Sequence, residues 1–263
     1  MAETEIRFED GAAYEQGMGL WSRLAGEIFL DWLAPQANLR WIDIGCGSGA
    51  FTDLLVQRCA PVETQGVDPS EAQLGFARAR PGVQGASFQQ GDAMALPFFE
   101  KRFDAAVMAL VLFFVPEPAR GVAEMVRVVR PGGTVAAYVW DMLGGGFPFE
   151  PIYAELRAVG VVPPLPPSVG ASRADALRDL WTGAGLEAVE TREIIVQRTF
   201  ADFDDFWSKT TILGTMRPSI AAMARDEAER FKERVRARLP PDNEGRITYS
   251  ARANAIKGRV KLK

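Results

Sequence analysis

A short apolar run that leads directly into a glycine-rich loop is the feature that most restricts the fold. The segment WIDIGCGSGAF begins at Trp41, and its three glycines alternate with small residues. Glycine reaches positive φ without strain, so such a loop lets the backbone turn tightly and approach a ligand closely. The segment therefore predicts a strand, a ligand-binding loop and a helix, in that order.

The same alternation of strand and helix continues as far as Trp140. Apolar or alternating runs predict five strands, in the segments LRWIDI, VETQGVD, ASFQQGD, FDAAVMAL and TVAAYVW. Apolar side chains at helical spacing predict helices between and before these strands, over residues 14–33, 50–59, 70–80 and 119–130. Strands that alternate with helices favour a Rossmann-like, doubly wound α/β sheet that is mostly parallel.

Beyond Trp140 the pattern changes. Residues 141–171 are rich in Gly and Pro and predict an irregular segment, and residues 200–239 look helical between two alternating runs. We therefore expect an antiparallel last strand preceded by a helical, lid-like insertion. The expectation is a single domain over residues 1–263, with a ligand-binding core at 1–140. Two substrate-covering segments, residues 141–171 and 200–246, complete it.

The composition excludes several classes of protein. The chain has no histidine and only two cysteines, which removes Ser-His and Cys-His nucleophiles and most zinc sites. We expect no metal, although carboxylates alone could still bind Mg²⁺. The net charge of −4 supplies no broad basic surface for nucleic acid. The longest apolar run, residues 105–115, is too short to span a bilayer, and the acidic N-terminus differs from a secretory signal. We expect a cytoplasmic protein.

The residues around the loop discriminate between possible ligands. A triphosphate-binding loop needs Lys and then Ser or Thr after its last glycine, but Ala50 and Phe51 stand there. The dinucleotide pattern G-x-G-x-x-G/A is satisfied, and an acid, Asp68, ends the next strand. However, Asp43, two residues before the first glycine, would repel a pyrophosphate. A carboxylate at that point suits a ligand that carries an ammonium group.

The stretch from Asp43 to Gly49 resembles the first motif of the class I S-adenosylmethionine-dependent methyltransferases, an acid followed by G-x-G-x-G. Three further segments match later motifs of that family in order: GVDPS from Gly66, GDAMALPF from Gly91 and RPGGTV from Arg130. The resemblance covers residues 14–140. It is nearest to the small-molecule branch that includes the ubiquinone and menaquinone C-methyltransferases. It implies S-adenosylmethionine as cofactor and S-adenosylhomocysteine as product.

The resemblance also implies which residues hold the methionine part of the cofactor. The backbone of Gly45, Gly47 and Gly49 would pass beneath it. Asp43 and the carbonyl of Ala109 would lie near its ammonium group. Arg23 would pair with its carboxylate, and Tyr14 would close over it.

On the adenosine side, the same resemblance assigns both ribose hydroxyls to Asp68. Pro69 and Ser70 would flank the adenine. Asp92 would accept a hydrogen bond from the exocyclic amine, and the Ala93 amide would meet a ring nitrogen.

The acceptor side is less defined. Where the family often has a polar residue after the fourth strand, this chain has LVLFFV, so Phe113 and Phe114 would line or back the pocket. That favours a small, partly apolar acceptor. Tyr138, Asp141, Glu150 and Tyr153 are candidates for a general base, and the sequence does not distinguish between them. Two alternatives stay open: another S-adenosylmethionine-using transferase, or a non-catalytic binding protein that acts as a regulator or partner. The oligomeric state also stays open.

Overall fold

The computed structural model describes residues 15–211 and 217–262. Seven strands form one sheet, in the spatial order β3-β2-β1-β4-β5-β7-β6. Their bounds are β1 Arg40–Ile44, β2 Glu63–Asp68, β3 Ala86–Gln90, β4 Phe103–Ala109, β5 Val129–Trp140, β6 Glu187–Phe200 and β7 Ile247–Arg259. The first five pair in parallel, and β7 is antiparallel to both β5 and β6. The predicted fold class, with its antiparallel last strand, is confirmed.

Helices cover both faces of the sheet. Their bounds are α1 Leu20–Leu33, α2 Ala50–Cys59, α3 Glu71–Ala79, α4 Pro118–Val128, α5 Glu150–Ala158, α6 Ala174–Gly183, α7 Phe203–Thr211, α8 Arg217–Ala221 and α9 Arg225–Ala237. A π-helical turn, Glu15–Gly19, precedes α1. The predicted helical insertion is present, because α7, α8 and α9 all lie between β6 and β7. No helix in the described ranges is both long enough and apolar enough to cross a membrane.

The core forms where apolar periodicity meets the sheet. Strand β1 lies in the centre of the parallel part and is buried along most of its length, since helices cover both of its faces. On α1, Trp21, Ala25 and Phe29 lie on one side and are fully buried. Their spacing of four residues places them on one helical face, which packs against the sheet.

Two elements differ in detail from the prediction. Strand β5 begins at Val129, so the RPGG segment lies within the strand and does not precede it. The pairing with β4 is irregular there, since Phe103 pairs with Val129 but Ala105 already pairs with Thr134. Gly133 is required there, because a Cβ atom would lie 2.6 Å from the Asp104 carbonyl oxygen. In the Gly- and Pro-rich segment 141–171, the nine residues of α5 are helical. Pro151 in its first turn is compatible with a helix start, where the missing N–H costs no hydrogen bond.

The parallel strands end together at one edge of the sheet. Asp68 at the end of β2 pairs with Gln90 at the end of β3, and Ala109 at the end of β4 pairs with Tyr138. Ligands of open α/β sheets bind at this carboxyl edge.

Candidate functional site

The loop after β1 holds three glycines at positive φ, and each glycine has a separate reason. Gly45, Gly47 and Gly49 have φ of 74°, 51° and 78°. A Cβ atom at Gly45 would lie 2.5 Å from the Val111 side chain, and one at Gly49 would lie 3.1 Å from the Ala77 Cβ. At Gly47 the nearest atom would be the Gln73 side-chain oxygen, 4.0 Å away. Gly47 therefore leaves open space beside its backbone, as a close-fitting ligand would require.

Asp68 fixes this loop. Its Oδ2 accepts a hydrogen bond from the Gly47 amide at 2.9 Å, and its Oδ1 accepts one from the Ser70 amide at 2.8 Å. Burial raises the pKa of the Asp68 carboxyl, and the two amide hydrogen bonds oppose that rise. Because each carboxylate oxygen has two lone pairs, both can accept a further donor. The Ser70 side chain also accepts from the Gln73 amide at the start of α3.

Asp43 lies in the centre of the sheet, paired in register with Gly66 on β2 and Val107 on β4. It is fully buried. Thr52 donates its hydroxyl to Asp43 Oδ2 at 2.6 Å, whereas Oδ1 has no hydrogen-bond partner in the described part of the chain. Burial raises the pKa of Asp43 to about 7. Sequence reasoning missed Thr52, although its position in the first turn of α2, directly after the loop, was a usable signal.

The other predicted binding residues are distributed along the same edge. Asp92 follows β3 and is exposed. Its side chain accepts a hydrogen bond from the Met94 amide at 2.8 Å, and this bond closes a turn that contains Ala93. Ala109 ends β4. The next residue, Leu110, has φ of 63° and donates its amide to the Tyr138 carbonyl at 2.8 Å. This left-handed residue turns the chain sharply at the strand end.

The structure says less about the remaining residues predicted to bind the cofactor. Pro69 is exposed and Ser70 is half-buried beside the loop. Arg23 is paired with Glu27 at 3.1 Å on an exposed part of α1. Tyr14 lies outside the described residues.

The four candidates for a general base have different surroundings. Tyr138 is 1% exposed and packs its ring against Phe29, 4.7 Å away between centroids, beneath α1. Both oxygens of Asp141 are engaged, Oδ1 by the Gly144 amide at 2.9 Å and Oδ2 by the Arg252 guanidinium at 2.6 Å. Glu150 is paired with Arg157 on α5. Tyr153 is buried, with its hydroxyl 3.5 Å from the Pro164 carbonyl.

Phe113 and Phe114 follow β4 and pack edge to face, with ring centroids 4.6 Å apart. Phe113 is buried and Phe114 is half-buried. The Phe113 carbonyl accepts the Ser168 amide at 3.0 Å, which ties the end of segment 141–171 to this strand end.

These residues fit the cofactor that the resemblance implies. The unpartnered Asp43 Oδ1 is an acceptor at the head of the loop, and a cationic amine is its natural complement. Gly47 supplies the open backbone approach, and Asp68 supplies two oxygens already oriented by amides. The donor set therefore suits an amino acid joined to a ribose.

Comparison with known proteins gives independent evidence on what the chain is similar to. Residues 42–137 match a family model described as a methyltransferase domain. The chain is 31% identical over 125 residues to the ubiquinone/menaquinone biosynthesis C-methyltransferase of Roseobacter denitrificans, covering 46% of this chain and 50% of that protein. It is 35% identical over 103 residues to the fatty-acid O-methyltransferase of Mycolicibacterium smegmatis, covering 38% of each. The chain thus spans about half or less of the length of these curated relatives.

Among solved structures, a phosphoethanolamine N-methyltransferase 2 of Haemonchus contortus in complex with S-adenosyl-L-methionine has a similar fold. Its TM-score is 0.59 at 15% identity, covering 95% of this chain and 56% of that one. At that identity the likeness concerns the fold alone. The family match, the motif order and the loop geometry agree on one point: residues 42–137 match a methyltransferase domain, and this part of the chain resembles the class I S-adenosylmethionine-dependent methyltransferases, among them the quinone C-methyltransferases.

Proposed function

We propose that the protein transfers a methyl group from S-adenosylmethionine to a small, partly apolar acceptor in the cytoplasm. The observation that carries the proposal is the glycine loop tied to Asp68, with the unpartnered Asp43 oxygen beside it, inside a stretch that matches a methyltransferase domain. Nucleic acid is not the expected partner, because the chain is acidic.

Each residue has a proposed task. Asp43 would hold the ammonium group of the cofactor and Asp68 its ribose hydroxyls. Asp92 and the Ala93 amide would hold the adenine. When bound, S-adenosylmethionine supplies an electrophilic methyl group; the carbon–sulfur bond breaks as the bond to the acceptor forms, and S-adenosylhomocysteine is left. Transfer then depends mainly on positioning an acceptor atom in line with that bond.

The acceptor would be covered by residues 141–171 and 200–246. The first segment carries three aromatic rings, Phe147, Phe149 and Tyr153. The centroid of the Phe147 ring lies 5.1 Å from the centroid of each of the other two. With Phe113 and Phe114, these rings would provide an apolar wall. A wall of this kind suits the acceptor types named for the two curated relatives, a quinone precursor and a fatty acid.

Two measurements test the proposal. First, calorimetry should show heat for S-adenosylhomocysteine and none for NAD; the reverse result would overturn the cofactor assignment. Second, incubation with methyl-labelled S-adenosylmethionine and a metabolite extract should place the label in a small product. Tight binding without any labelled product would instead support the non-catalytic alternative. A parallel incubation uses S-adenosylmethionine labelled in its aminopropyl or carboxyl part, and label from that cofactor in a product would support another transferase.

A metal control belongs to the same assay. With no histidine in the chain, we expect turnover to persist in EDTA. Loss of turnover that Mg²⁺ restores would contradict this expectation.

A further inference from the structure

A buried arginine on β6 has no role in the site described above. Along the end of this strand, Ile194, Val196, Arg198 and Phe200 point to the same buried side. Three of the four are apolar, but Arg198 is a cation that is only 9% exposed. Burying a charge costs free energy unless partners compensate for it, so the position requires an explanation.

The partners of Arg198 within the described residues do not balance its charge. Nη1 donates to the Gly17 carbonyl at 3.0 Å, and the guanidinium carbon lies 4.4 Å from the centre of the Phe200 ring. No carboxylate of the described residues forms an ion pair with it. Tyr249 and Asp205 are the acidic groups whose charges reach it. However, Tyr249 donates its hydroxyl to the Pro148 carbonyl, and Asp205 is paired with Lys209 at 2.6 Å and accepts the Ala201 amide. The Nε and Nη2 donors therefore have no acceptor in this part of the chain.

The arginine lies beside an aromatic cluster at the ligand-binding edge of the sheet. Since β5 and β6 are both antiparallel to β7, the Phe200 end of β6 lies at the same edge as the Trp140 end of β5. Tyr249 on β7 stacks on Phe200 at 5.9 Å and packs against Trp21 at 5.1 Å. The Trp21 indole N–H is itself buried and has no acceptor among the described residues.

Segments proposed to cover the acceptor meet at this cluster. The Tyr249 hydroxyl donates to the Pro148 carbonyl at 2.6 Å, in the loop before α5. Phe206 on α7 packs edge to face against Tyr249 at 5.8 Å. Gly17, which Arg198 contacts, belongs to the turn before α1. The unpaired cation therefore lies where both covering segments and the start of α1 come together.

We propose that Arg198 recognises an anionic oxygen group, a carboxylate or a phosphate, on the acceptor. This inference rests on the proposed function and specifies its substrate class: a small molecule with an apolar body and one anionic group. A guanidinium presents a planar fork of donors that matches such a group in a bidentate way. Tyr249, the half-buried member of the aromatic cluster beside it, would provide apolar surface for the body of the molecule.

Matched probes test this assignment without knowledge of the natural acceptor. Benzoate, phenyl phosphate and benzamide share a ring and differ in the group attached to it. In calorimetry with S-adenosylhomocysteine present, at least one of the two anions should bind about tenfold or more tightly than benzamide. The stronger of the two anions identifies the group that the site prefers. Equal binding of all three probes would overturn the proposal.

Variants connect that preference to the residue. Arg198→Met should remove the preference for the anion and leave benzamide binding unchanged. Arg192→Met, at an exposed arginine of the same strand, should behave as the parent protein. If the preference survives in Arg198→Met, the arginine serves only to anchor the turn at Gly17, and the proposal fails.

Two further measurements keep the outcome interpretable. If Arg198→Met does not fold, Arg198→Lys replaces it: the charge remains but the fork is lost, so benzoate binding should weaken several-fold. An unchanged benzoate affinity in that variant would count against the assignment. S-adenosylhomocysteine affinity is measured on every protein first. If the parent fails to bind it, the proposed function fails, while the same probes without that ligand still report on Arg198.

Discussion

Asp43 and Asp68 lie near the carboxyl ends of two adjacent parallel strands, but their surroundings differ. Asp68 is stabilised by two backbone amides, whereas Asp43 has one hydroxyl partner and one unpartnered oxygen in the described part of the chain. An acid that already accepts fixed donors organises the loop. An acid with an unused, buried oxygen is more responsive to a ligand's charge and to pH.

Removing the Asp68 carboxylate should weaken cofactor binding in two ways. Asp68→Ala loses the proposed hydrogen bonds to the ribose and also releases the Gly47 and Ser70 amides that shape the loop. We expect calorimetry to show a loss of about 2–4 kcal/mol in S-adenosylhomocysteine binding. Asp179→Ala, at an exposed acid on α6, is the matched control and should leave the affinity unchanged. An undiminished affinity in Asp68→Ala would contradict the ribose assignment.

The buried Asp43 predicts a pH dependence of binding. Its pKa in the free protein is raised to about 7, so the carboxylate gains a proton as the pH falls through that value. Protonation removes the charge that would hold an ammonium group. S-adenosylhomocysteine should therefore bind about tenfold more tightly at pH 8 than at pH 5.5, the size expected for one charge-assisted hydrogen bond.

A variant that cannot titrate at position 43 is the control for this pH dependence. The chain has no histidine, which removes the side chain that most often titrates in this range. Asp43→Asn should bind weakly and equally at both pH values, since the amide does not titrate. A pH dependence that persists in Asp43→Asn would assign the effect to another group.

At the scale of elements, periodic segments were predictable and locally ambiguous ones were not. The alternation in residues 186–199 identified β6, and from Ile194 onward every second residue of the strand faces the core. Helix α5 was missed, since Gly and Pro on both sides of it obscure its periodicity. The extension of β5 to Val129 was missed as well. A ladder irregularity at RPGG depends on contacts with β4 that no local pattern records.

An ion-pair cluster of Glu155, Arg234 and Arg238 joins the two segments proposed to cover the acceptor. Glu155 on α5 is buried, and its two oxygens accept from Arg234 at 3.0 Å and Arg238 at 2.5 Å, at the end of α9. Glu155→Ala would leave both arginines without this partner. We expect a loss of about 1–3 kcal/mol in the free energy of unfolding, because the carboxylate is buried but the arginines are half-exposed.

Urea denaturation measures this loss. Glu233→Gln on the same helix breaks an exposed pair with Arg236 and should cost less than about 0.5 kcal/mol. If the two variants lower the free energy of unfolding equally, the Glu155 ion-pair cluster stabilises the protein no more than an ordinary surface pair.

Across the whole molecule, the sequence assigns residues to the cofactor side far more completely than to the acceptor side. The loop, Asp43 and Asp68 lie within 26 residues, so their spacing alone carries the site. Arg198 and Gly17 are 181 residues apart, and their contact exists only once β6 packs beside α1. Likewise, Asp141 looked available as a base until β7 placed Arg252 against it. Such long-range partners depend on topology and leave no local pattern.

The pairing of Asp141 with Arg252 predicts that one substitution can lower turnover without changing cofactor affinity. The Arg252 guanidinium holds Asp141 through two hydrogen bonds, at 3.0 and 2.6 Å, and the Gly144 carbonyl at 2.8 Å. Its backbone holds the same loop through the Gly146 carbonyl and the Asp141 amide. Arg252→Ala removes only the side-chain bonds, so the loop should stay in place but open more often.

We expect hydrogen exchange of residues 141–148 to accelerate. Turnover, with the acceptor found by the labelling screen, should fall by on the order of tenfold, because a loop that opens more often excludes water less well. S-adenosylhomocysteine affinity should stay within about threefold, because the proposed cofactor site is the loop after β1. Arg259→Ala, at the far end of the same strand, should change neither quantity. A parallel loss of cofactor affinity in Arg252→Ala would place this loop on the cofactor rather than the acceptor. Faster exchange with unchanged turnover would mean that the loop does not cover the acceptor.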